Sequence, residues 1–146
     1  MRFRCLTIAG AVTAAIVLPV NPAMAANTAL AAASMVVSPA GAGSPYGDSS
    51  AAGGVALGLW NNSSASTTVS LPASSSVVVS AKGQSCRGAP NMTVSVDGTA
   101  ISTTTVSATS WTNYTTAATI AAGSHTLSIA FTTITTARPA AIEICY

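Results

Sequence analysis

Catalysis needs polar groups held close enough to perturb one another, and this 146-residue chain is poor in them, with three acids, one histidine and five basic residues. The acids are Asp48, Asp97 and Glu143. Hydrolysis of a glycosidic bond usually asks for two carboxyl groups flanking it, and Asp97 is already explained as half of an Asp97-Gly98 turn. His125 stands in Ala-Gly-Ser-His-Thr, which reads as a solvated histidine in a hairpin turn leading into a strand. No serine sits in a nucleophile elbow, so an enzyme is not expected.

A binding surface asks for less. An aromatic ring against the apolar face of a pyranose, hydrogen-bonding side chains and, in some cases, a calcium ion held by hard oxygen ligands suffice to hold a sugar. Trp60, Trp111, Tyr46 and Tyr114 are the candidate platforms. Trp60 ends an apolar run, where core packing is the stronger reading. Trp111 follows Ser-Ala-Thr-Ser at a loop apex, and there packing and binding stand level.

The elements that would position these residues begin after the N-terminus. Arg2 and Arg4 precede an apolar run from Cys5 to Val20 and then Ala23-Met24-Ala25, the pattern of a secretory signal peptide cleaved after Ala25. The run ends at Asn21-Pro22, short of a bilayer span. The expected product is secreted and extracellular, with no membrane attachment, and monomeric. It keeps Lys82, Arg87 and Arg138 against Asp48, Asp97 and Glu143, so it is near neutral. Three scattered cations cannot form the footprint that a nucleic acid or an anionic membrane requires.

Residues 26–34 read as an Ala-rich linker and 35–146 as one domain. Alternation with a period of two, as in Met92, Val94 and Val96 against Thr93, Ser95 and Asp97, predicts strands with one buried face. About eight are expected: 35–38, 55–60, 67–71, 77–81, 92–96, 101–106, 114–120 and 126–131. Residues 39–54, rich in Gly, Ser and Pro, read as one long loop. Asp97-Gly98 predicts a tight turn with positive φ. Short regular strands and no helical stripe give an all-β antiparallel sandwich. Cys86 and Cys145 are the cysteines left after cleavage, and a bridge between them can staple the central loop to the last residues. Zinc would need further Cys or His ligands.

Several stretches carry a resemblance: Gly83-Gln84-Ser85-Cys86-Arg87-Gly88-Ala89-Pro90, Val96-Asp97-Gly98, Val106 to Tyr114, and Ala122-Gly123-Ser124-His125-Thr126-Leu127, with Asp48-Ser49 and Leu59-Trp60 upstream. With them the chain resembles the xylan-binding modules of carbohydrate-binding module family 60 and the related family 36. The resemblance implies a β-jelly-roll sandwich and a secreted, non-catalytic module that binds xylan or a related β-glycan of the plant cell wall with the help of calcium. It points to Trp111, Gln84 and Arg87 as sugar contacts and to Asp48 as a weak calcium ligand. The alternative is a secreted structural or cell-surface sandwich with no glycan ligand.

The resemblance stops after Phe131. Where the family pattern continues with Asn-Asp-Tyr, a Cys and Asp-Arg-Asn-Leu, residues 133–146 lack those acids. Regrouped by one base from the Thr132 codon, the same Thr, Ile, Pro, Ala and Glu codons are compatible with Asn, Asp, Tyr, Tyr and then Cys, Asp, Arg, Asn and Leu. The resemblance therefore implies that residues 133–146 are out of frame. On that reading Cys145 is accidental, the main calcium ligands are lost, and the site is degenerate.

Overall fold

The computed structural model describes residues 27–83 and 89–132. The expectations for the signal peptide, for Gln84, Cys86 and Arg87, and for residues 133–146 with Cys145 lie outside the described residues.

Within them the chain is all-β, with nine antiparallel strands: β1 Val36–Ser38, β2 Gly43–Gly47, β3 Val55–Leu59, β4 Ser63–Leu71, β5 Ser74–Ala81, β6 Asn91–Val96, β7 Thr99–Thr105, β8 Thr112–Ile120 and β9 Gly123–Thr132. A five-stranded sheet runs in the order β1-β4-β9-β6-β7, and β2-β3 and β5-β8 form two-stranded ribbons. The period-two reading of β6 holds, because Met92, Val94 and Val96 are buried while Thr93 and Ser95 are not. Asp97 and Gly98 both take positive φ, 51° and 79°, and join Val96 to its partner Thr99. The outer face of the sheet is hydroxyl-rich. Thr93 meets Thr103 at 3.1 Å and Thr68 meets Thr126 at 3.3 Å across paired strands.

One expectation is corrected. The 39–54 segment is not a single loop, since Gly43–Gly47 forms β2 and pairs with β3 from Gly43↔Leu59 to Gly47↔Val55. Pro45 donates no ladder hydrogen bond, which an edge ribbon tolerates. The sequence Gly-Ser-Pro-Tyr-Gly carries turn residues but forms a strand because β3 supplies a partner.

The core lies between the five-stranded sheet and the β5-β8 ribbon. At one end Leu71, Val96, Ile120 and Leu127 pack with Val69, Val77, Ile101 and Ala118. At the other Ala81, Met92, Val94 and Val106 pack with Val79, Tyr114, Ile129 and Phe131. Burying each large side chain contributes about 1.5–3 kcal/mol. Tyr114 thus serves the core rather than a surface. No helix among the described residues is long and apolar enough to cross a membrane.

His125 is also corrected. It is not a solvated turn residue. Its side chain is only 15% exposed, with Nδ1 2.7 Å from Asp97 Oδ2 and Nε2 2.9 Å from Ala121 O. Asp97 Oδ1 accepts from Thr126 N–H at 2.8 Å, and Asp97 N–H donates to Thr126 O at 2.8 Å. Both ring nitrogens face acceptors, and only the imidazolium can donate from both. Asp97 first, and the Ala121 carbonyl second, raise the His125 pKa above its ordinary 6.5. The ring clamps the β6-β7 turn to the β8-β9 turn.

Two outcomes are expected. Met92→Ala, at a fully buried site, lowers stability by about 2–5 kcal/mol in chemical denaturation, whereas Val78→Ala, at an exposed one, changes it by no more than about 0.5 kcal/mol. Equal costs would refute the packing described. A raised folded-state pKa for His125 means that its stabilisation is complete below pH 6.5 and is lost as pH rises through the higher folded value. The melting temperature should therefore fall on the alkaline side of 6.5, and His125→Ala should flatten that limb.

Candidate functional site

β5 and β8 pair as far as Ala81↔Thr112. Lys82 follows Ala81 and Trp111 precedes Thr112, so the two side chains start from adjacent strands at one end of the ribbon. The Lys82 ammonium lies 5.0 Å from the Trp111 ring centroid, a cation–π arrangement. Backbone packing fixes this end. Gly83 N–H donates to Ala108 O at 2.7 Å, and a Cβ on Gly83 would stand 2.2 Å from Val106 O and 3.2 Å from Pro90 Cδ. No other residue type fits there without moving backbone.

Asp48 arrives from the turn after β2. Its N–H donates to Gly54 O and its C=O accepts from Ala51 N–H, both at 3.0 Å, which closes the turn. Oδ1 accepts from Ser50 N–H at 3.0 Å and from Ser50 Oγ at 2.5 Å. Oδ2 accepts from Lys82 Nζ at 2.5 Å and from the Trp111 indole N–H at 3.2 Å. Lys82, then the Ser50 donors, hold the Asp48 carboxyl far below the usual carboxylate range. The reciprocal pull of Asp48, with a smaller contribution from Tyr46, raises the Lys82 pKa.

The structure therefore joins two of the residues singled out from sequence, Trp111 and Asp48. Sequence reasoning passed over Lys82 and Ser50. The available signal was that Lys82 breaks a run of apolar and hydroxyl residues with one of few charges. Trp111 is half-buried rather than fully exposed, and one face of its ring carries the ammonium.

Calcium does not fit Asp48 in this arrangement. The carboxylate already accepts four hydrogen bonds and is neutralised by Lys82. Asp97, the other described acid, is tied to His125 and Thr126. Among the described residues no group of three or more His, Cys, Asp or Glu could hold a metal ion. What the cluster does offer is an anchored indole, an ammonium and the Ser50 hydroxyl. A shallow cleft of about 360 Å³ beside His125 is lined by Val96, Ile101, Ala118 and Ile120, with no Phe, Tyr or Trp in its wall.

Residues 76–133 match the sequence model of carbohydrate-binding module family 60, described as a Ca-dependent, xylan-binding carbohydrate-binding module. Over that segment, from β5 through β9, the chain resembles the family. Lys82 and Trp111 lie inside it, whereas Asp48 and the β2-β3 ribbon lie outside. No curated protein matches the chain.

A depressed folded-state pKa for Asp48 means that its contribution is present above the ordinary 3.8 and is lost only as pH falls through the lower folded value. In a Trp60→Phe variant, whose remaining indole is Trp111, fluorescence should stay constant as pH falls through 3.8 and change only below it. A midpoint near 4 would mean that the Asp48 cluster does not persist in solution.

Proposed function

We propose that this chain is a secreted, non-catalytic module that binds xylan or a related β-glycan of the plant cell wall through the Trp111–Lys82–Asp48 cluster. The observation that carries the reading is Trp111 itself. It lies within the xylan-binding family segment, its indole N–H is anchored on a carboxylate, and its ring is held by an ammonium. A ring fixed in this way loses little conformational entropy when a sugar docks against it. The ammonium and the Ser50 hydroxyl add hydrogen-bonding groups that match sugar hydroxyls.

Gln84 and Arg87, a few residues beyond Lys82, are proposed as further sugar contacts. The near-neutral charge supports an uncharged polysaccharide over an anionic partner. The family is described as Ca-dependent, but in this chain Lys82 supplies the positive charge at Asp48. We propose that binding here does not rest on calcium at that carboxylate.

The experiment is retention on insoluble xylan, with calcium and with chelator. The chain should be retained in both, and Trp111→Ala should reduce affinity by about tenfold or more, the size of an aromatic anchor. Loss of retention in chelator would refute the calcium-independent contact. A wild-type chain that is not retained would refute glycan binding and favour a structural sandwich.

A further inference from the structure

The β2-β3 ribbon carries two exposed aromatic rings on one face. Trp60 is 56% exposed and Tyr46 is 40% exposed, although an apolar run ending in Trp60 points to the core. They are not separate surface residues. A Cβ built on Gly58 would stand 3.0 Å from Trp60 Cζ3 and 3.4 Å from Tyr46 Cδ1 and Cε1, so both rings close over a position of β3 that has no side chain. The missing methyl lets the two rings lie low against the backbone and form a continuous shelf. Ala56, opposite Tyr46, is buried.

The shelf is held in place. The Trp60 indole N–H donates to Gly41 O at 3.2 Å, and Trp60 N–H donates to Ala42 O at 3.1 Å. Leaving two aromatic rings in water is unfavourable, and paired, anchored, exposed rings mark a surface that something else covers. The shelf also adjoins the cluster described above, because Tyr46 lies near the end of β2, two residues before Asp48. From the level of Ala42, where Trp60 attaches, to Asp48 the chain advances about 20 Å at about 3.3 Å per residue. That run exceeds the width of a single sugar ring.

We infer that Tyr46, Gly58 and Trp60 form a second sugar-stacking subsite, which extends the Trp111–Lys82–Asp48 site along several rings of one polysaccharide chain. Sugar rings present alternating C–H faces and hydroxyl edges, and aromatic rings with a polar tip match both. The chemistry is that of an uncharged β-linked glycan, since Lys82, the one lysine or arginine among the described residues, is paired with Asp48. The inference rests on the glycan-binding reading above, and it concerns a ribbon outside the segment that resembles the xylan-binding family.

The test is calorimetric affinity for xylo-oligosaccharides of increasing length, using the full chain. Trp60→Ala and Tyr46→Ala should each weaken binding of the longest oligosaccharides by about tenfold, and Trp60→Ala should leave the shortest bound as in wild type. Trp111→Ala should weaken all lengths. Gly58→Val, which wedges a side chain under both rings, should reproduce the Trp60→Ala pattern with both aromatics retained. In Trp111→Phe, long oligosaccharides should quench Trp60 emission and short ones should not. If Trp60→Ala and Tyr46→Ala leave every length unchanged while Trp111→Ala weakens them all, the shelf is refuted and the main site stands. If both shelf variants weaken long oligosaccharides and Trp111→Ala changes nothing, the shelf stands and the main site is wrongly assigned. If the wild-type chain binds no length, both are refuted.

Discussion

Among the described glycines, the tightest approach is that of Gly83 to Val106. A side chain at 83 would collide with the Val106 carbonyl, so the backbone passes against the fully buried end of the β7 region, where Val106 N–H donates to Pro90 O at 2.8 Å. That contact follows the end of β5 and sets Lys82 at the rim. With Ala81 paired to Thr112, the same junction determines where Trp111 leaves the ribbon. The ammonium, the indole and, through them, Asp48 all depend on a hydrogen atom at one Cα. Glycine is required here by proximity and not by φ.

Electrostatics then builds on the packing. The chain carries few charges, and two ion pairs among the described residues use four of them at opposite tasks. Asp97 and His125 tie turns together and support the fold. Asp48 and Lys82 bring a ribbon and a strand end together at the rim and shape a surface. Because Asp48 is spent on four donors, it orients Trp111 and Lys82 rather than offering itself as a free ligand. A carboxylate in a sequence motif identifies a charge, and the neighbouring donors decide what the charge does.

Much of the fold was legible because a strand with one wet face must alternate. β6 shows this in Met92, Val94 and Val96, and the Asp97-Gly98 turn followed from the positive φ that a two-residue hairpin demands. β2 was not legible, since Gly-Ser-Pro-Tyr-Gly has turn composition and becomes a strand through its partner. Trp60 was misread for a related reason: on an edge ribbon, the face that meets the core depends on where the ribbon docks, and local pattern carries no such information. Trp111 and Asp48 were both picked out, but their contact spans 63 residues and that of Lys82 with Asp48 spans 34. No spacing rule predicts such meetings, which arise from the way the ribbons stack.

The order of strands in the five-stranded sheet also governs how the molecule comes into being. β9 lies between β4 and β6, and its pairing with β4 joins Ser63 to Phe131 and Leu71 to Gly123. The strand at the centre of the sheet is thus the last of the nine to be synthesised. Until it arrives, β4 and β6 lack the neighbour that joins them, and closing so long a loop costs entropy before any contact returns it. Such a chain assembles late and as a whole, so that the nascent polypeptide remains without its sheet until nearly all the described sequence has been made.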